Sequence, residues 1–206
     1  MLFRSLDRAQ AERRWDAPEQ WPASAVRVGM MGLGQLGRDA AEVLARIGFK
    51  VAGWSRKPKR IPGFESYSGR GGLTTFLART DILVVLLPLT PDTRGILNRE
   101  LFAKLGRGGV LGAPVLINAG RGGLQVEADI LASLDDGTLG AATLDVFETE
   151  PLAPASALWG HPNVTITPHN AADSDAGAIT EAVTAQIKAY ESGAPLQHVV
   201  DRALGY

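Results

Sequence analysis

The chain has 206 residues, 45% of them hydrophobic, and its 21 Lys and Arg against 22 Asp and Glu leave a formal net charge of −1. Such a composition supports a buried core and excludes a disordered chain, while near-neutral charge with only 6% aromatics argues against a nucleic-acid surface, which needs a basic face and stacking rings. Zero cysteines exclude disulfides, thiolate metal sites and a cysteine nucleophile, and no stretch approaches the ~18 apolar residues of a membrane span, so a soluble cytoplasmic protein without metal, nucleic-acid or membrane partners is expected.

The first 22 residues read as a charged leader, helical over 6–14 and broken by Pro18 and Pro22. From Val26 the pattern changes to short apolar runs: VRVGMMG, KVAGW, DILVVLLP, APVLINAG, AATLDVF and VTITPH. Between and after them lie helical stretches at 35–47, 73–79, 99–105, 125–135 and 174–190. Apolar runs without strict alternation are strands buried on both faces, and strand alternating with helix implies right-handed crossovers. The expected fold is therefore α/β, a doubly wound parallel sheet of the Rossmann type. The dinucleotide-binding domain is expected over 23–170, with a C-terminal helix and tail over 171–206.

The first crossover holds Gly32, Gly34 and Gly37 in GxGxxG spacing, directly after a strand and at the start of a helix whose apolar face reads as Leu36, Ala40, Val43, Leu44 and Ile47. The first glycine makes the turn, the second admits a pyrophosphate, and the third lets helix and strand pack closely. Gln35 and Leu36 stand at the helix N-terminus, where free N–H groups face the phosphates. About twenty residues further on, an NAD-binding fold carries an acid for the adenosine ribose. This chain has Ser55, Arg56 and Lys57 there and no acid, a set suited to clamping a 2′-phosphate, so NADP(H) is expected in preference to NAD(H). Lys59 and Arg60 read as solvated bystanders. A short-chain dehydrogenase is excluded, because no Tyr is followed by Lys four residues later, and a methyltransferase is disfavoured by the missing acid.

Further candidates follow the later strands. Arg121 stands in INAGRGG, Asp145, Glu148 and Glu150 in LDVFETEPLAP, and His169 in VTITPHNAA. All would lie at the carboxyl edge of a parallel sheet, where open α/β folds bind ligands. Arginine, carboxylate and imidazole at one edge suit hydride transfer to a carboxylate-bearing substrate. His161 and His198 read as structural.

The stretches GLGQLG, LLPLTPDTRGIL, INAGRGG, TLDVFETEPL, LWGHPNVTITPHNAA and the terminal VDRALGY together resemble the cofactor-binding and C-terminal parts of the D-isomer-specific 2-hydroxyacid dehydrogenases, from Val26 onward. The resemblance implies reduction of a small 2-oxo acid, glyoxylate or hydroxypyruvate, by hydride from NADPH. It carries the family's catalytic arginine onto Arg121, its acid onto Glu150 rather than Glu148, and its histidine onto His169. Arg121 would hold the substrate carboxylate, His169 would protonate the developing alkoxide, and Glu150 would orient that ring. Asp145 falls where the nicotinamide carboxamide is bound. Leu87, Pro88 and Leu89, with Thr93 and with Ala119 and Gly120, fall on the loops that line the cofactor. A homodimer is implied. Two departures stand out: the loop in KLGRGGVLGAPVLINAG is longer than the family pattern, and residues 1–21 resemble only the last helix and linker of the family's N-terminal substrate portion. A second function class is therefore open, an NADP(H)-binding module without turnover.

Overall fold

The computed structural model describes residues 2–200 and Arg202. Met1 of the leader, and Asp201 and 203–206 of the VDRALGY ending, lie outside the described residues. Seven strands form one parallel sheet: β1 (Arg27–Met31), β2 (Lys50–Ser55), β3 (Glu65–Ser68), β4 (Ile82–Val85), β5 (Val115–Asn118), β6 (Ala141–Leu144) and β7 (Val164–Ile166). Their order is β3-β2-β1-β4-β5-β6-β7, so the winding reverses between β1 and β4. That reversal opens a crevice at the carboxyl ends of the two strands, the ligand position of an open α/β sheet. The helices are α1 (Leu2–Ala11), α2 (Gln35–Arg46), α3 (Gly69–Ala78), α4 (Arg99–Phe102), α5 (Glu127–Asp135) and α6 (Ala176–Glu191).

Side chains of successive strand residues point to opposite faces, and the two cores follow that alternation. Met31, Ala52, Trp54, Leu83, Val85 and Leu116 face one way and pack with Phe76 and Leu77 of α3, Phe102 of α4 and Ile130 of α5. Met30 and Val51 face the other way and pack with Leu33 and with Ala41 of α2. Gly53 lies on this second face, where an added Cβ would sit 2.6 Å from Leu33 Cδ2.

Six strands were expected, and β3 is the addition. Its sequence, ESYS, carries no apolar run, because an edge strand paired on one side only needs little burial. The helix α3 begins at Gly69 rather than at 73, since Gly69, Gly71 and Gly72 hide its first turn from a propensity reading. The face of α2 also needs correction: Ala40, Ala41 and Leu44 turn inward, whereas Leu36, Val43 and Ile47 are exposed.

The amino edge is closed by a buried ion pair. Asp81, just before β4 and 2% exposed, accepts hydrogen bonds from the backbone N–H of Arg27 and from its guanidinium at 2.5–3.1 Å. The Arg27 guanidinium is held above its ordinary pKa, first by its hydrogen bonding to Asp81. The long loop expected to depart from the family pattern wraps this carboxylate, since a Cβ on Gly109 would lie 1.9 Å from Asp81 Oδ1. This loop therefore serves the edge opposite to the candidate site.

Residues 1–168 and 169–206 form two compact units. The first holds the sheet and α1–α5. The second holds α6, capped by the Asp175 side chain accepting from Ala178 N at 2.7 Å; none of its helical residues is buried, and Ile179, Val183, Ile187 and Tyr190 are exposed.

Candidate active site

The glycine-rich turn is built as its spacing requires. Gly32 has φ +115°, and a Cβ there would lie 2.6 Å from the Leu86 carbonyl oxygen, so only glycine fits both the conformation and the approach of the β4 loop. A Cβ on Gly37 would lie 1.9 Å from the Gly32 oxygen, which fixes how closely α2 approaches the turn. Gly34 differs: it is the N-cap of α2 without a side-chain cap, and an added Cβ meets nothing within 4 Å. The α2 hydrogen-bond ladder opens with Arg38 N donating to Gly34 O, so the amides of Gln35, Leu36 and Gly37 precede it, as the first N–H groups of any helix do. Open space before unsatisfied helix-terminal donors fits a pyrophosphate.

After β2 the chain presents its cations. Ser55 is buried, and its Oγ donates to Lys57 O at 2.8 Å, so this hydroxyl shapes the loop that carries Arg56 and Lys57. Both of those side chains are exposed. Just before them, Trp54 is 7% exposed, and its indole N–H donates to Gly69 O at 2.9 Å. Lys59 is not merely a solvated charge, whereas Arg60 is exposed. Lys59 Nζ donates to Leu33 O at 2.6 Å, which brings an ammonium onto the glycine-rich turn itself. With Arg60, Ile61, Pro62, Phe64 and Ser66, it lines a cavity of ≈ 350 Å³.

The loop after β4 holds Leu87, Pro88 and Leu89. Leu87 is buried in the core and Leu89 packs against it. Thr93 Oγ1 accepts from Thr90 N at 2.8 Å and donates to Pro88 O at 2.7 Å. The hydroxyl of Thr93 is thereby committed to closing the turn.

The loops after β5 and β6 meet backbone to backbone. Gly120 lies against the β4 loop, with a Cβ 3.0 Å from Leu87 O, and Ala119 is half-buried. Gly122 lies against the β6 loop so closely that a Cβ would sit 1.8 Å from the Phe147 carbonyl carbon. Arg121, between them, is extended (φ −147°, ψ 146°) and exposed, with Nη1 donating to Gly120 O at 2.6 Å. Asp145 is 4% exposed and accepts from Thr167 Oγ1 at 2.5 Å. The two acids competing for one role part company here. Glu148 pairs with Arg94 at 2.8 Å, both being exposed, whereas Glu150 Oε1 turns back to accept from Phe147 N at 2.9 Å, ahead of a cis peptide bond to Pro151.

Gly32, Arg56, Leu87, Arg121, Asp145 and Glu150 thus follow the carboxyl ends of β1, β2, β4, β5 and β6, neighbours in one parallel sheet. His169 follows β7 and opens the second unit; it is exposed and has φ 54°, a left-handed conformation uncommon outside glycine. Backbone outliers of this kind cluster at functional positions.

The family profile described as "D-isomer specific 2-hydroxyacid dehydrogenase, NAD binding domain" matches residues 2–171. The chain belongs to the D-isomer-specific 2-hydroxyacid dehydrogenases. Among curated relatives, glyoxylate/hydroxypyruvate reductase A of Serratia proteamaculans (strain 568) is 43% identical over 207 residues, covering 99% of this chain and 64% of that protein. Among solved structures, an NADPH-dependent glyoxylate/hydroxypyruvate reductase from Sinorhizobium meliloti in complex with NADP and sulfate has a TM-score of 0.96 at 57% identity, covering 100% of this chain and 65% of the other. A D-isomer specific 2-hydroxyacid dehydrogenase from Xanthobacter autotrophicus Py2, in complex with NADPH and MES, has a TM-score of 0.92 at 43% identity, covering 99% and 82%. The chain therefore spans just under two thirds of the length of the curated relative.

Two buried amide side chains of this dehydrogenase chain, Asn118 and Gln125, flank the Arg121 turn without being among the candidate residues named from the sequence. Asn118, the last residue of β5 and fully buried, donates through Nδ2 to Arg121 O at 3.2 Å and to Gln125 Oε1 at 2.8 Å, and accepts from Gly120 N at 3.1 Å. Gln125, 6% exposed, donates to Val146 O at 3.0 Å. The available signal was an amide side chain closing the otherwise apolar run VLIN, beside a catalytic candidate.

Proposed function

We propose that this chain binds NADP(H) across the carboxyl edge of its sheet and that the protein reduces a small 2-oxo acid, glyoxylate or hydroxypyruvate, to the D-2-hydroxy acid. One observation carries the reading: the Arg121 turn packs directly on the loop of Glu148 and Glu150, at the edge that also holds an open, donor-lined glycine turn. Ser55 to Lys57, without an acid, together with Lys59, support NADP(H) as the dinucleotide, as do the relatives solved with NADP and NADPH.

The residues divide the work by their chemistry. The amides of Gln35, Leu36 and Gly37 take the pyrophosphate, and Arg56 and Lys57 take the 2′-phosphate. Leu87 to Leu89 and Ala119 to Gly120 line the dinucleotide, with Thr93 shaping the first of these loops. Asp145, a buried acceptor, takes the carboxamide N–H groups. Arg121 holds the substrate carboxylate with paired hydrogen bonds and polarises the carbonyl. Bound NADPH supplies the hydride that goes to the carbonyl carbon. His169 donates the proton that goes to the carbonyl oxygen, and Glu150 is the acid that serves this imidazole. Two catalytic sets of one arginine, one acid and one histidine would thus be assembled in a homodimer in the cytoplasm, as the resemblance and the cysteine-free composition suggest.

The test follows NADPH consumption with glyoxylate or hydroxypyruvate added to the purified chain. Consumption that His169→Ala abolishes is the expected result. NADPH bound but not consumed would instead establish the second reading, a binding module without turnover. Absence of NADPH binding sinks both. A sedimentation mass of one chain would remove the homodimer.

A further inference from the structure

The proposed roles leave unexplained why two amide side chains lie buried at the carboxyl edge. Asn118 ends a strand whose other residues, Val115, Leu116 and Ile117, are apolar, and an apolar residue would have filled its place without desolvating an amide. The bonds of the pair run in one direction. Asn118 reaches forward to three points of the following turn, accepting from Gly120 N and donating to Arg121 O and to the Gln125 side chain. Gln125 passes the connection across to Val146 O, the residue after Asp145. The backbone repeats the link, with Asp145 N donating to Asn118 O at 3.0 Å. The far side of Gln125 is pinned as well, through its bridge to Leu97, with Leu97 N donating to Leu124 O at 2.9 Å and Val126 N to Leu97 O at 3.0 Å.

We infer that Asn118 and Gln125 are positioning residues: a buried amide relay that fixes the Arg121 turn and sets its spacing from Asp145. Arg121 itself is exposed and its Nη1 bonds Gly120 O of the same turn, so the placement of its side chain follows the rigidity of the backbone beneath it. The relay supplies it with every amide donor and acceptor that points at the turn satisfied, the condition under which a buried polar network rigidifies rather than destabilises. This inference rests on the proposed function for what the spacing is used for: Arg121 holds a substrate carboxylate and Asp145 the nicotinamide end, and hydride transfer depends on the distance between them.

The test uses the full chain and Gln125→Met, which keeps the shape of the side chain and removes both hydrogen bonds. Amide hydrogen exchange, read by mass spectrometry without ligand, should show protection at 119–124 falling about tenfold or more while β1 stays within about twofold. Unchanged protection at 119–124, or an equal fall across the sheet, overturns the relay. In the same samples, saturated with NADPH, affinity for oxamate, a 2-oxo acid analogue with the carboxylate an arginine would hold, should fall roughly tenfold or more, with NADPH affinity within about threefold. Equal loss of both affinities, or loss of neither, overturns the positioning role. Failure of the proposed function is read separately on the unsubstituted chain: if it binds no NADPH or no oxamate, that reading falls, and the exchange result alone decides whether the relay holds the turn.

Discussion

A methyl group added at Gly34 meets nothing within 4 Å, while one added at Gly122 lands 1.8 Å from a backbone carbon. The two glycines are therefore required for different reasons, and alanine separates them. Gly34→Ala should cost at most about 1 kcal/mol in a urea melt, the loss of a good N-cap, yet weaken NADPH binding more than about tenfold, because the methyl fills the approach of the pyrophosphate. Gly122→Ala should cost about 3 kcal/mol in the same melt, since neither backbone can yield without moving the Arg121 turn. The cations after β2 separate in a similar way. Arg56→Ala should weaken NADPH about ten- to a hundredfold, the worth of charge-assisted hydrogen bonds to a phosphate, and leave NADH unchanged. Lys59→Ala should weaken both cofactors alike in a fluorescence titration, because its ammonium sits on the Leu33 carbonyl of the glycine turn.

Among the elements, the two edges of the sheet have divided duties. The amino edge is tied by Asp81 and Arg27 and wrapped by the glycine-rich loop around Gly109; the carboxyl edge carries the candidate chemistry. Asp81→Asn should therefore cost about 3 kcal/mol of stability, the effect of leaving the Arg27 charge without its partner, while NADPH affinity in the folded protein stays unchanged. Apolar strands and the first crossover were legible in the sequence, since burial on both faces writes continuous runs of Val, Ile and Leu. The edge strand β3 was not, because one-sided pairing leaves it polar, and the inner face of α2 was legible only in part: Ala40 and Leu44 turn inward as read, with Ala41 beside them, while Leu36, Val43 and Ile47 remain outside. Site residues show the same division. Arg121, Glu150 and His169 could be placed because each follows a readable strand. Lys59, Asn118 and Gln125 could not, because what makes each a candidate is a contact with residues 3 to 26 positions away that only the folded backbone creates.

Across the whole molecule, the first unit buries two cores about its sheet, and the second holds a 16-residue helix with none of its residues buried. Helices of that length are marginal in water without a packed face. In dilute solution the α6 amides should exchange at least about a hundredfold faster than those of β1 and β4, and slow exchange there would show that a partner surface covers Ile179, Val183, Ile187 and Tyr190. The four tryptophans divide unevenly too: Trp15, Trp21 and Trp159 are 97%, 44% and 50% exposed, and Trp54 is 7% exposed at the end of the strand that leads into Arg56. A water-soluble collisional quencher will darken the first three and spare the last. What emission remains comes from a lamp fixed inside the protein beside the proposed adenosine end of the crevice, and a change in it on adding NADPH, with neither label nor substitution, is the expected sign that this end is occupied.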